Sequence, residues 1–281
     1  MYFETDNQTL EDLDIFNGRG GHSIYSIFNK TATRGGASIL EEMFRYPLAT
    51  IEDINNRVQI IRFFTTADIP FPLEQGSIDI VEHYLGNTDE RSKLPTQPIT
   101  ITKKIAGFVV TDNEYQAIHK GVVCLIELLR RLHEFVTTIR DKVIDNPYAR
   151  DLESIDKILS TEGFSVMIKE NNKTKLSYAA VAEYDRSLRF THRGMIIRLL
   201  KYLYYLDVYM TVAKVAVAKG FIFPTALEKG QHAIHLKGLY HPQLTNPVAN
   251  DISIYAEKNI IFLTGANMAG KSTFMKSLGI A

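Results

Sequence analysis

The stretch that most limits what this chain can be is Thr264-Gly-Ala-Asn-Met-Ala-Gly-Lys-Ser-Thr273, preceded by Ile260-Ile-Phe-Leu263 and followed by Phe274 to Ala281. Gly265, Gly270, Lys271 and Ser272 fit the spacing G-x-x-x-x-G-K-[ST], in which backbone N–H groups of a glycine-rich turn cradle phosphates. Each position has a reason. Gly reaches the left-handed φ values such a turn needs and lets the backbone approach an anion closely. Lys271 is placed to meet the β- and γ-phosphates and Ser272 to ligate Mg²⁺, and the helix that follows directs its N-terminal dipole at the charge. The run Ile260 to Leu263 is short, apolar and β-branched, which predicts a buried strand leading into the turn, and Ser272 to Leu278 can be helical. The bland alternative is an ordinary strand-turn-helix with a coincidental Lys. The implied cofactors are ATP and Mg²⁺, held by Gly265, Ala266, Asn267, Met268, Ala269, Gly270, Lys271, Ser272 and Thr273. Lys271 and Ser272 form the catalytic pair, and Ser272 is the metal ligand.

Composition bounds the rest. With 281 residues, 45% of them hydrophobic, there is material for one large domain or two ordinary ones. Basic and acidic residues both number 32, so a globally basic nucleic-acid binder is not indicated and any DNA contact must come from a local patch. A single cysteine, Cys124, excludes an internal disulfide and reads as a buried, inert thiol in an apolar helical pattern. Met1-Tyr-Phe-Glu-Thr-Asp6 has neither the basic nor the apolar region of a secretion signal. Met195 to Val217 is the most apolar stretch, but Arg198, Lys201, Asp207 and Lys214 interrupt it, so it is no membrane span. A cytoplasmic protein without membrane contact is expected.

Along the chain, the segment 18–21 reads as a turn or loop, because no strand precedes its glycines. A short helix is expected within His22 to Asn29. Thr31 and Thr33 can cap the next, which runs to about Arg45 before Tyr46-Pro47. Thr50-Ile-Glu-Asp53 opens another helix through Ile54, Val58, Ile61 and Phe64. Pro70, Pro72, Pro95 and Pro98 bracket a helix at Ile78 to Leu85, and residues 99–110 fit no single element.

Two long helices dominate the middle, at about 111–145 and 177–219. Thr111-Asp-Asn-Glu114 is a capping box, after which Tyr115, Ile118, Val122, Leu125, Leu129, Leu132, Val136, Ile139 and Val143 recur at spacings of three and four. The second carries Val181, Tyr184, Leu188, Ile196, Leu199, Leu203, Leu206, Met210, Ala213 and Val217, and ends at Gly220. Such spacing over two segments predicts an antiparallel arm with a coiled-coil-like seam, which Gly194 could bend. Between Lys169 and Lys201 the basic residues Lys169, Lys173, Lys175, Arg186, Arg189, Arg193, Arg198 and Lys201 outnumber the acidic ones. Lys169, Lys173, Lys175, Arg186 and Arg189 are the candidate DNA contacts, against the alternative of a solvated helix face. Beyond Phe221 the pattern turns to short strands at Ala233 to Leu239 and Asn250 to Tyr255. His232, His235 and His241 do not share the spacing of a metal set.

The phosphate loop with its Asn267 and Met268 resembles that of the MutS mismatch-repair ATPases, with Ala266 where the family usually has Pro. Tyr240-His-Pro242 and Val248-Ala-Asn-Asp251 are similar to that family's His-Pro and Asn-Asp strand start. Near the N-terminus, Gly20-Gly-His-Ser-Ile24, Asn29-Lys-Thr-Ala-Thr33, Gly35-Gly36 and Tyr46-Pro-Leu48 resemble the start of the MutS core domain, with Asn29 in place of an Asp. The resemblance implies a mainly α fold: a helical core with a long antiparallel lever arm over 1–225, then an incomplete α/β P-loop ATPase domain over 226–281. It places Val248 and Asn250 near the adenine. Pro247 stands where an aromatic is common, so base stacking is expected to be weaker.

The resemblance further implies DNA as partner, mismatched or otherwise structured, and a homodimer for the full-length protein. Only Asn146 to Thr174 is left for the family's DNA clamp. The expected acidic strand and dimer contacts would lie beyond Ala281, so the fragment alone is expected to hydrolyse nothing. The competing readings are a chromosome-maintenance type of P-loop ATPase and a nucleotide switch whose helical interaction arm does not bind DNA.

Overall fold

Helix starts fall where capping side chains stand. The computed structural model describes residues 2–17, 22–95, 111–169, 176–228 and 230–281; the segments 18–21 and 99–110, together with Lys173 and Lys175, lie outside them. Asp6 accepts from the Thr9 N–H at 2.7 Å to open α1 (Asn7–Asp12). Ser23 and Ser26 form a reciprocal capping box on α2 (Ile24–Phe28). Thr33 Oγ1 accepts from the Gly36 N–H at 2.8 Å at the start of α3 (Arg34–Arg45), whereas Thr31 bonds Asn29 instead. Thr50 caps α4 (Ile51–Thr66), and α5 spans Gln75–Gly86. The expected box of Thr111 with Glu114 opens α6 (Asp112–Ile139). Then follow α7 (Ala149–Leu159), α8 (Glu162–Lys169), α9 (Tyr178–Asp185) capped by Ser177, and α10 (Arg193–Lys219). Strands β1 (Ile234–Leu239) and β2 (Asn250–Ile254) precede α11 (Lys271–Ile280).

The chain divides into two compact units. One comprises Met1–Thr31, Ala37–Ala67 and Val208–Ala281, the other Ala32–Gly36 and Asp68–Asp207. In the second unit the stripe Ile118, Val122, Leu125, Leu129, Leu132, Val136 and Ile139 is buried, as its spacing predicts. It packs against α5, α7, α8 and α9. Each such aliphatic side chain contributes about 1.5–3 kcal/mol on burial. Cys124 on the flank of this stripe is half-buried rather than fully buried, and burial raises its thiol pKa.

The second long helix departs from expectation in two ways. Tyr178, at the start of α9, stacks on Tyr115, at the start of α6, with ring centroids 5.2 Å apart. The two helices therefore begin side by side, and α9 is not the antiparallel partner that the spacing suggests. Nor is the helix continuous. Arg186–Thr191 forms a π turn, and His192 (φ −110°, ψ 10°) separates it from α10. The break precedes Gly194, which has open space around it. A π turn inserts one residue into the helical repeat and rotates the side chains around it. Its buried side chains are Leu188 and Arg189.

Arg189 is 1% exposed. Its Nε and Nη2 grip Asp185 at 2.6 Å each, Nη1 donates to Ser92 Oγ (2.8 Å) and Asn87 O (3.3 Å), and Nη2 donates to Ser92 O (3.0 Å). All five guanidinium donors are thus used. Tyr84 Oη donates to the same carboxylate at 2.8 Å, and burial with that adjacent charge drives its pKa strongly upward. A buried ion pair is stable only when so fully bonded. Arg189 is consequently a core residue, and its assignment as a DNA contact is corrected.

In the first unit, Phe16, Tyr25, Phe28 and Phe44 cluster with centroid separations of 5.5–6.4 Å, and Phe221 joins them through Phe28 at 5.8 Å. The strands β1 and β2 pair antiparallel, Ile234 opposite Ile254, with an irregularity between Leu236 and Leu239. They are the only sheet among the described residues. The buried strand expected at Ile260 to Leu263 is not formed: Ile260 is 77% and Phe262 90% exposed. A segment with no neighbour to pair with leaves its backbone groups to water. Among the described residues no helix is long and apolar enough to cross a membrane.

The Arg189 network gives a stability prediction. Asp185→Ala, which strands a buried guanidinium, is expected to cost about 3–5 kcal/mol in urea unfolding, whereas Asp185→Leu with Arg189→Met recovers most of that loss. A single-variant loss under about 1 kcal/mol contradicts the account.

Candidate phosphate-binding site

Residues 264–270 form an exposed turn that leads into α11. Gly270 takes φ 87°, ψ 10°, a left-handed conformation, and is the N-cap of α11. Nothing lies within 4 Å of where its Cβ would stand, so the glycine is required by conformation and not by space. Met268 is also left-handed, at φ 66°, with a fully exposed side chain. A non-glycine residue held there costs about 1 kcal/mol or more, the kind of strain found in loops shaped for a ligand. The Ala269 N–H donates to Ala266 O at 3.2 Å and closes the turn.

Lys271 is the first residue of α11, and its ammonium reaches back over the loop. Nζ donates to the carbonyls of Gly265 (2.6 Å) and Ala266 (2.8 Å). Both partners are neutral, and among the described residues Lys271 makes no ion pair. Its charge is therefore held over the mouth of the turn without a carboxylate to balance it. No side chain caps α11, so the donors of its first turn have no partner from a capping group. Ser272 is exposed, as are Ala266, Asn267 and Ala269. This donor set fits a triphosphate with its cation: amides and an ammonium for the anion, a free hydroxyl for Mg²⁺.

The other expected site residues are dispersed. Val248 and Asn250 lie at the start of β2, both exposed, and the Asn250 amide bonds the Val248 carbonyl at 3.1 Å. No hydrogen bond among the described residues ties them to the phosphate loop. Lys169 and Arg186 are exposed, while Arg193, also in the basic run, donates to Leu85 O at 3.2 Å. The basic run is thus shared between surface and interior.

Two groups escape a reading by motif. Asp207, 2% exposed, accepts from Ala32 N (3.0 Å), Thr33 N (2.8 Å) and Thr33 Oγ1 (2.7 Å). A Cβ on Gly36 would sit 2.5 Å from that carboxylate, and one on Gly35 would meet the Tyr204 ring at 2.5 Å. The Thr-x-x-Gly signature is therefore a docking surface for one carboxylate. The second group is His241, buried near Lys276 and Asp14. Burial, and then the Lys276 charge, lowers its pKa, with Asp14 opposing them.

A family model described as MutS domain III matches residues 8–213. The chain belongs to that family. It is similar to the DNA mismatch repair protein MutS of Dehalococcoides mccartyi, 22% identical over 374 residues covering 99% of this chain and 43% of that protein. Pseudothermotoga lettingae MutS is 21% identical over 100% of this chain and 44% of its own length. DNA mismatch repair protein MSH7 of Arabidopsis thaliana is 23% identical over 98% of this chain and 28% of its own. The chain thus spans less than half the length of these relatives. The 374-residue alignment exceeds the 281 residues of the chain, so the relative carries inserted residues within the matched span.

His241 supplies a pH prediction. The fold favours the neutral imidazole, so its contribution is complete above the unfolded pKa of about 6.5 and is lost as pH falls through the lower folded value. Between pH 7 and 5 the native chain is expected to lose melting temperature relative to His241→Asn. A difference that stays constant with pH contradicts this.

Proposed function

We propose that this chain is the core of a MutS-type DNA-maintenance ATPase, acting in mismatch repair or a related DNA process, in which ATP·Mg²⁺ binding at residues 265–273 is coupled to movement of the helical arm. The observation that carries the reading is the left-handed Gly270 immediately before Lys271, with the ammonium drawn back over the Gly265 and Ala266 carbonyls. ATP would supply the triphosphate charge there, and Mg²⁺ a counter-cation that neutralises part of it. The chain's own part is to hold them. Lys271 would exchange its carbonyl partners for the β- and γ-phosphates, the amides of Asn267 to Thr273 would hold the anion, and Ser272 would offer its hydroxyl to the metal. Val248 and Asn250 supply the adenine side. The names of the relatives support the DNA role, and we propose that the protein works as a homodimer.

A nucleotide switch that binds no DNA is the second reading. It is favoured by the burial of Arg189, which removes one cation of the basic run from the surface.

The test of nucleotide binding is a titration with a fluorescent ATP analogue and Mg²⁺. The native chain is expected to saturate, and Lys271→Ala to bind at least about tenfold more weakly, as expected for loss of charge-assisted bonds to phosphate. Equal affinity of the two contradicts the proposal. Titration with duplex, mismatched and branched DNA across a salt series separates the two readings. A falling affinity with salt supports phosphate contact, and its absence on all three leaves the switch.

A further inference from the structure

α11 has ten residues, and a helix of that length is marginal on its own. The segment leading into it is exposed and unpaired, so no sheet fixes the phosphate loop from the N-terminal side. What holds the helix is its later turns. Lys276 Nζ donates to Asp14 Oδ2 at 2.5 Å, with both side chains about one-third exposed. Ser277 is buried and bonds the Thr273 carbonyl at 2.8 Å. A Cβ on Gly279 would come within 2.9 Å of Leu13 Cδ2, so the helix backbone rests directly on that side chain.

The receiving corner is itself firmly made. Asp14 is left-handed at φ 53°, an uncommon state for a residue other than glycine. Bonds on both sides hold it there: its N–H donates to Glu11 O at 3.0 Å, and its carbonyl accepts from Ile24 N at 3.0 Å. The next residue is fixed too, with Ile15 N donating to Leu10 O and Tyr25 N to Ile15 O, each at 2.9 Å. A carboxylate on so constrained a backbone is aimed, and it is aimed at Lys276. Lys276 is five residues beyond Lys271, about 140° around the helix. Ser272, four residues before Lys276, shares its face, so the seat lies one helical turn beyond the anion-binding end.

We propose that Asp14, Leu13 and Lys276 are positioning residues for the phosphate loop: the corner between α1 and α2 seats α11, so nucleotide affinity is set in part by residues near the opposite end of the chain. The proposal rests on the nucleotide-binding reading above. Because linkage is reciprocal, a nucleotide that orders the loop also steadies the corner.

The test pairs affinity with amide hydrogen exchange on the full 281-residue chain. With the fluorescent ATP analogue and Mg²⁺, Lys276→Gln and Asp14→Asn are expected to weaken binding about threefold to fivefold, the scale of a partly exposed ion pair. The reversed pair Asp14→Lys with Lys276→Asp is expected to restore most of it. Gly279→Val, which drives a branched side chain into Leu13, should weaken binding further. In the native chain the nucleotide should slow exchange at the amides of Ile15, Ile24 and Tyr25, and in Lys276→Gln it should not. A merely structural role would shift melting temperature without a nucleotide-dependent change at those amides. Native binding with unchanged affinity in every variant and no added protection at the corner overturns the proposal and leaves the nucleotide reading standing. Failure of the native chain to bind removes both.

Discussion

One buried carboxylate ties two distant stretches of the second unit together. Asp207, on α10, accepts from the backbone of Ala32 and Thr33 and from the Thr33 hydroxyl, at the N-terminus of α3 where unpaired N–H groups and the helix dipole favour a negative charge. Thr33 in turn accepts from Gly36, so side chain and backbone share one closed set of bonds. The close approach that this demands explains the two adjacent glycines, since a methyl group at either would overlap Asp207 or Tyr204. A motif near the N-terminus and a residue some 170 positions later are thus a single structural device.

The phosphate loop is built on a different principle. Its conformation is local: a left-handed glycine, a second left-handed residue at Met268, a closing turn, and a lysine that folds back on its own loop. Such a loop needs to be placed, and placement comes from the far end of its helix through Lys276 and Gly279.

These two devices differ in how far they could be read beforehand. Helix starts at Thr50, Thr111 and Ser177 were legible because a cap is a short-range event, written in residues three apart. The buried stripe of α6 was legible for the same reason, its period being that of the helix. The strand at Ile260 to Leu263 was not, because apolar, β-branched composition describes what a strand prefers and not whether a neighbour exists to pair with it. Arg189 misled in the opposite direction. It stands in a basic run, yet it lies within the π turn with its side chain in the core. Its partner Asp185 stands four positions earlier, a spacing that could have signalled an ion pair. The basic residues around it remain on the surface at Lys169 and Arg186. Asp207 was visible only as a charge interrupting an apolar stretch, and its role depends on a contact that no local pattern records.

The central claim is that a triphosphate settles on the turn between Gly265 and Thr273. Backbone amide resonances followed during titration with Mg²⁺ and ATP test it most directly, because they report position as well as binding. The account predicts the largest shifts at Asn267 to Thr273, with smaller ones at Ile15 and Ile24. Shifts confined to other parts of the chain, or none at saturating nucleotide, would contradict it.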